Sequence, residues 1–444
     1  MSEQLPRRIH IGYGMGSMAT GSFATVPGLL LLPYLTDTIG IGAAIAGVIV
    51  FIPKFWDVIL NPIAGRISDR HESTRGRRRP FLLWSGLSLA VLFAMMFAGP
   101  TESQVIGASW VVLVFIACAS AYAFFQVPYV SMPAEMTDSY EERTKLMTWR
   151  VSLLAVAILV SGGLSPMIVN AFGGEASVAG YRLMGIFVAA LLVVGTLGAY
   201  FGTAGAPDLQ NDTAGGSFAD QLRAVAQSRD FRMLLGTFII QALAISAILA
   251  GVAYVAKDLL DDPGAATFLF VAFVGPAILV TPLWERFART RSKRTGYMMS
   301  SGFLIAGMLL MAVLFVGPSP IVYLAAAIVG IGYAGTQSFP MAMLPDVAAH
   351  DAETTGENRI GVFTGIWTAG ETAGFAMGPG LFALILAIGG YQSSTAAEFV
   401  LQSDAAKSAI ALGFSVIPAV LVIASMAVLA RYRLDAQLSG AQHD

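Results

Sequence analysis

Gln126-Val-Pro-Tyr-Val-Ser-Met-Pro133-Ala-Glu135 has a looser second copy in Gln337-Ser-Phe-Pro-Met-Ala-Met-Leu-Pro345-Asp346. Each stretch closes an apolar run with a glutamine, two prolines and an acid. Each is followed by a glutamate and an arginine, Glu142-Arg143 and Glu357 to Arg359. The offset is 211 to 212 residues, close to half of the 444-residue chain. A second landmark repeats at 220: Asn61-Pro62 before Arg66 and a basic run, then Thr281-Pro282 before Arg286 and another. Chance likeness among apolar helices does not reproduce polar landmarks in this way. Two parallel halves with a site at their interface are a transporter architecture.

The composition places these halves in a membrane. Hydrophobic residues make up 56% of the chain and charged residues only 12%, and the mean hydropathy is +0.70. A soluble chain carries about 25% charged residues, so this one has too few to solvate its outer face. Twelve apolar segments, each long enough for a crossing of ~20 residues, fall near 10–35, 41–66, 80–99, 107–132, 146–172, 180–203, 232–257, 264–286, 295–316, 319–341, 360–388 and 408–430. The expected fold is an all-α membrane protein, with twelve transmembrane helices in two pseudo-symmetric six-helix bundles. Residues 1–203 form the first bundle and 232–444 the second. Residues 204–231 form a polar linker with a short amphipathic stretch around Phe218–Val225. The first apolar segment is too long for a signal peptide and is read as an uncleaved first helix.

Lysine and arginine set the orientation. If the side holding the N-terminus is taken as inside, 21 of the 26 fall on that side. Only Arg182, Lys257 and Lys407 fall outside, and Lys54 and Arg150 lie within spans. The positive-inside rule then puts both termini in the cytoplasm, as expected for a multi-pass plasma-membrane protein. A net charge of −2 gives no basic footprint for nucleic acid. The single cysteine, Cys118, excludes an intramolecular disulfide and cysteine-based metal sites. No phosphate-binding Gly-x-x-x-x-Gly-Lys-Ser/Thr motif occurs, and no intramembrane histidine or metal cluster suggests a membrane enzyme. No cofactor is expected. The partners are a small solute and the bilayer, and the working unit is expected to be a monomer.

The loop after the second span reads Gly65-Arg-Ile-Ser-Asp69-Arg70, then Arg75-Gly-Arg77-Arg78-Arg79-Pro80. It resembles the cytoplasmic signature loop of the major facilitator superfamily. Gly65 would allow close helix packing. Asp69 would cap the next helix or pair with Arg70, Arg77 or Arg78, latching the inward face. Positive-inside charge alone is the plainer reading.

Further stretches resemble the glycoside–pentoside–hexuronide:cation symporters, the melibiose permease-like family. They are Tyr13-Gly-Met-Gly16, Tyr34-Leu-Thr-Asp37-Thr-Ile-Gly40, Lys54-Phe-Trp-Asp57-Val-Ile-Leu-Asn61-Pro62, Val127-Pro-Tyr129 and Trp149-Arg150. The resemblance implies a cation-coupled transporter of sugar-like solutes, with Arg150 as a sugar contact. It also shows departures. Gly21, Asn61, Gln126, Val130 and Thr372 stand where the family has, in order, a sugar-contacting aspartate, a cation-ligand aspartate, an aspartate, a tryptophan and a lysine. Neither the galactoside site nor the sodium site is preserved.

The residues themselves point to the same region. Charges inside a bilayer mark pathways or pairs. Lys54, Asp57 and Asn61 share one face of the second span, either as a self-neutralising pair or as a cavity-lining group. Glu371, beside Thr372, lies near the midplane of the eleventh span. It is a proton site or the counter-charge of Arg150 or Lys54, or else part of a static salt bridge. Arg150 binds ligand or snorkels to the interface. Gln126 and Gln337 bond hydroxyls of a solute, or backbone groups freed by Pro128 and Pro340. Trp56, Trp149 and Trp367 stand beside charges, where they stack on a sugar ring or belong to the membrane-interface belts; Trp367, which is not at a helix end, is the best candidate for stacking. Tyr13 completes the candidate binding set. The leading function is a secondary transporter of a small polar solute by alternating access, with proton symport expected ahead of sodium symport. The alternatives are an amphipathic or hydrophobic solute, imported or exported, and uncoupled facilitation.

Overall fold

A computed structural model of the chain describes residues 5–69, 71, 76, 78–137, 139–174, 177–207, 228–290, 292–355, 360–395 and 400–434. Twelve helices in it are long and apolar enough to cross a membrane. The first six are α1 (Arg7–Pro33), α2 (Ala43–Asp69), α3 (Arg79–Met96), α4 (Gln104–Met136), α5 (Tyr140–Ala171) and α6 (Val178–Gly202). The next five are α7 (Arg229–Tyr254), α8 (Ala265–Thr290), α9 (Lys293–Leu310), α10 (Ile321–Thr355) and α11 (Ile360–Ile388). The last span, expected as one helix over 408–430, is broken into α12 (Asp404–Phe414) and α13 (Val416–Leu429). The break at Ser415 follows from Pro418, which has no N–H to give to the carbonyl of Phe414 four residues back. The amphipathic stretch around 218–225 lies outside the described residues.

The chain divides into two compact units. One comprises Met1–Thr213 with Gln392–Leu401, the other Ala214–Tyr391 with Gln402–Asp444. Their internal packing is the same list written twice. In the first unit α1 lies on α5 and α6, α3 on α4 and α6, and α2 on α4. In the second, α7 lies on α11 and α13, α9 on α10 and α13, and α8 on α10. The repeat read from polar landmarks is therefore a repeat of helix packing.

Two details show how residue choice permits it. A Cβ on Gly202 of α6 would stand 2.3 Å from the Cα of Gly12, so α1 and α6 touch backbone to backbone only because both positions are glycine. On α11 the four-residue glycine spacing makes the face that meets α7, where a Cβ on Gly378 would overlap Ser246 and reach the backbone nitrogen of Ala247 at 2.5 Å. Both units also carry a feature the sequence did not suggest. α1 runs into a π-helical turn, Tyr34–Thr38, and α7 into another, Val255–Leu259, 221 residues on. Each turn holds a buried acid, Asp37 and Asp258.

Candidate functional site

In the first unit the chemistry gathers where α1, α4 and α5 meet. Tyr129 of α4 is fully buried. Its hydroxyl donates to the Tyr13 carbonyl at 2.7 Å and lies 3.0 Å from Ser17 Oγ, while its ring stacks on Tyr13 at 4.7 Å between centroids. On this platform rests Arg150 of α5, its guanidinium carbon 5.7 Å from the Tyr129 ring centre, within cation–π range. Arg150 Nη1 touches Met147 Sδ at 3.9 Å, and Nε is enclosed with no hydrogen-bond acceptor. The guanidinium also bonds the Tyr129 hydroxyl, which fixes it in place and leaves Nε as a further donor. Gln126, one turn before Tyr129, likewise encloses an Oε1 with no partner.

Lys54 and Asp57 do not close the pair expected of them. The Lys54 ammonium lies 5.6 Å from the ring centre of Phe23 on α1, and Asp57 Oδ1 is buried without a hydrogen bond. Phe23 reaches the lysine because it sits in an aromatic group with Phe93, Phe115 and Tyr122. Asn61 is half-buried one turn further along α2.

In the second unit Glu371 and Thr372 are half-buried on α11, and Tyr333 of α10 lies within reach of the Glu371 charge. Thr372 turns its hydroxyl back to the Thr368 carbonyl at 2.9 Å. Trp367 differs from expectation. It is 1% exposed in the apolar core of this unit, 4.7 Å from Phe238, so its ring is not offered to a solute in this conformation. Tyr13 is likewise fully buried, so it supports Tyr129 rather than facing a solute. The other two tryptophans are also occupied within the protein: Trp149 lies under the Arg7 guanidinium at 6.0 Å, and Trp56 donates to Ser120 Oγ at 3.0 Å. Among the described residues, neither Gln126 nor half-buried Gln337 bonds a backbone group freed by proline.

At the arginine-rich end of the first unit, Arg78 joins α2, α3 and α4. It is buried and holds Glu135 of α4 through Nε at 3.0 Å and Nη2 at 2.6 Å, while Nη1 donates to Ser68 Oγ at 2.6 Å. Ser68 in turn donates to the Gly65 carbonyl at 2.9 Å. Arg70 and Arg77 lie outside the described residues, as does the side chain of Asp69. Gly65 does not serve close packing, since a Cβ there would meet only Val127 Cγ1 at 3.6 Å, an ordinary contact. The second unit has the matching pair, Lys293 to Asp346 at 2.6 Å. The neighbouring basic residues match as well: Arg79 donates to the Tyr200 carbonyl at 2.9 Å and Arg294 to the Ala430 carbonyl at 3.0 Å. Glu135 was not expected as the partner of Arg78, although its alignment with Asp346 in the repeat was the signal for it.

A second cluster ties α1 to α5 at the same end. Glu142 accepts from Lys145 at 2.9 Å, lies 2.9 Å from His10 Nε2 and takes the Leu5 amide at 3.1 Å. The Lys145 hydrogen bond holds its carboxyl below the usual glutamate value. The Leu5 amide and the charges of Lys145 and His10 add to this, against the opposing effect of burial.

Two six-helix repeats with buried charge inside the spans, each carrying a corresponding ion pair, are those of a secondary membrane transporter, not an enzyme. Residues 12–436 match the model of the MFS/sugar transport protein family, and the chain belongs to that family. It is 26% identical over 97% of its length to a putative glycoside/cation symporter, YagG, of Escherichia coli K12, covering 93% of that protein. It is 23% identical to an isoprimeverose transporter of Lactiplantibacillus pentosus, over 97% of this chain and 89% of that one. The fold also matches a crystal structure of the nucleoside transporter NupG, with a TM-score of 0.63 at 16% identity, covering 95% of this chain and 98% of that one.

Proposed function

We propose that the protein moves a small sugar-like solute by proton symport, with both termini in the cytoplasm. The observation that carries the solute class is Arg150, a guanidinium inside a span, fixed on Tyr129 and enclosing an Nε without an acceptor. Hydroxyl-rich and carboxylated sugars present the acceptors such a group needs. Lys54 and Arg150 stand against the single carboxylate of Asp57, which favours a solute bearing negative charge over a neutral one. The relatives support a sugar: those named above are a putative glycoside/cation symporter and an isoprimeverose transporter. Proton coupling is supported by Asn61 and Gln126, which replace aspartates of the resembled family and remove the carboxylates a sodium ion would need. Asp57 and Glu371 are carboxylates inside the spans, and either can carry a proton.

Counterflow in proteoliposomes, with neutral and acidic sugars tested with and without pH and sodium gradients, examines the whole reading. The expected result is accumulation of one sugar class driven by a pH gradient. Arg150→Ala should weaken apparent affinity at least tenfold. Unchanged affinity removes Arg150 from the binding site, and accumulation that follows sodium alone overturns the choice of ion.

A further inference from the structure

The stretch Tyr13-Gly-Met-Gly16 of α1 packs against both α4 and α5. A Cβ on Gly16 would stand 2.4 Å from Cε2 of Tyr129, so the absent side chain is the space in which that ring lies. A Cβ on Gly14 would stand 3.0 Å from the Trp149 carbonyl, so α1 also runs close to α5 at the residue before Arg150. Tyr13 at 4.7 Å and Phe125 at 5.7 Å stack on the Tyr129 ring and complete its enclosure. One turn of α1 therefore seats the tyrosine and the backbone beside the arginine that rests on it.

The hydroxyl at the end of that ring has a full set of partners. It carries one proton, which goes to the Tyr13 carbonyl at 2.7 Å. Ser17 Oγ, 3.0 Å away, is therefore the donor in its own contact with the hydroxyl. The Arg150 guanidinium is the other donor. One bond given and two accepted use the whole capacity of a hydroxyl. Ser17 and Tyr129 are both fully buried, so the arrangement is sealed from water.

We propose that Tyr129 is a positioning residue for solute recognition, acting through Arg150; this rests on the reading of Arg150 as the solute-binding group. An arginine loses rotamer freedom when it grips a ligand, and one already held has lost that freedom beforehand. The chemistry of the holding group matters. A carboxylate in its place would hold the guanidinium and also neutralise it, whereas a neutral oxygen fixes the geometry and leaves the charge for the solute. Ser17 and Gly16 extend the role to α1, one by orienting the hydroxyl and the other by leaving room for the ring.

The test compares the full chain with Tyr129→Phe, which keeps the stacked ring and removes only the hydroxyl. In protein whose arginines carry a nitrogen isotope label, the Nε–H resonance of Arg150, identified by its absence in Arg150→Lys, reports on the guanidinium with no solute present. The expected result is a sharp, slowly exchanging signal in the wild type that broadens and exchanges faster in Tyr129→Phe. An unchanged signal overturns the proposal. Uptake into proteoliposomes of labelled glucuronate, or of labelled glucose where counterflow selects a neutral sugar, gives the second reading. Tyr129→Phe should raise the half-saturating concentration about five- to tenfold, the scale of a hydrogen bond to a charged group, and leave the maximal rate within about twofold. In an Arg150→Ala background the same substitution should change half-saturation by less than about twofold, because a residue that acts through Arg150 has nothing left to act on. An equal loss in both backgrounds, or a loss of maximal rate alone, makes Tyr129 a packing residue and overturns the proposal. Where Arg150→Ala loses affinity and Tyr129→Phe does not, this proposal fails alone. Where Arg150→Ala keeps its affinity, the reading of Arg150 fails and takes this proposal with it.

Discussion

Removing the carboxylate of Glu135 should weaken the first unit far more than removing that of Asp346 weakens the second. The two pairs correspond in the repeat and have the same shortest N–O distance, 2.6 Å. They differ in burial. The Arg78 and Glu135 side chains are 7% and 12% exposed, whereas Lys293 and Asp346 are 32% and 27% exposed. Breaking a buried pair leaves an uncompensated charge and costs about 3–5 kcal/mol. An exposed pair contributes about 0.2–1 kcal/mol, and the Lys293 pair falls toward that end because water still reaches both groups. In Glu135→Ala the guanidinium loses its carboxylate and keeps the neutral Ser68 Oγ at 2.6 Å. Cys118 supplies a local readout, since it is buried on α4, the helix that carries Glu135. The assay is the temperature at which Cys118 becomes reactive to a thiol dye in detergent. Glu135→Ala should lower it by about 6–20 °C, at roughly 2–4 °C per kcal/mol for a unit of this size, and Asp346→Ala, read in a Cys118→Ser background through Ala334→Cys at a buried position of α10, should lower its own midpoint by at most about 4 °C. Arg78→Ala with Glu135→Ala should recover part of the loss, because the stranded charge goes too. A double variant that only adds the two single losses, or an Asp346→Ala shift equal to that of Glu135→Ala, would refute the reasoning.

Three further outcomes follow from the same structure. Glu142 contributes stability that is fully present above the ordinary glutamate value of about 4.5 and is lost as pH falls from there through its lowered value. The thermal midpoint should therefore drop on acidification below about pH 4.5 in the wild type, and Glu142→Gln should lack that slope; identical slopes would remove Glu142 from the link between α1 and α5. Gly202→Leu should prevent α1 and α6 from closing and give little folded protein by size-exclusion chromatography, while Gly65→Ala, with its nearest contact at 3.6 Å, should fold normally. Glu371→Gln should carry solute down its gradient without pH-driven accumulation, measured as uptake against counterflow in the same vesicles. Retained accumulation would assign the proton elsewhere, with Asp57 next in line.

The fold was legible because its signals are collective. Twelve apolar runs and two sets of polar landmarks each involve many residues, and no single substitution erases them. The site was less legible because its side chains depend on neighbours from other helices. A spacing of three places Lys54 and Asp57 on one face of α2, yet the lysine goes to Phe23 of α1, which is distant in sequence. Trp367 precedes Glu371 by four residues, only about 40° around the helix, and what sends the tryptophan into the core is Phe238 of α7, a partner distant in sequence. Arg78 was readable from its loop, but its partner Glu135, 57 residues away, was visible only through the repeat. The break at Ser415 was available in Pro418, though a hydropathy run does not register a missing amide.

The π-helical turns after α1 and α7 set a different kind of constraint on these spans. Such a turn holds one residue more than an α-helical turn, so every position beyond it is offset by about 100° around the axis. Substitutions within Tyr34–Thr38 leave that offset in place, whereas deleting one residue lets the turn tighten to α-helix and swings Ile39 to Ile41 to another face. That swing would break the hydrogen bond at 2.8 Å from Ser393 Oγ to the Ile41 carbonyl. The length of the chain at these two points is therefore under stricter control than its composition.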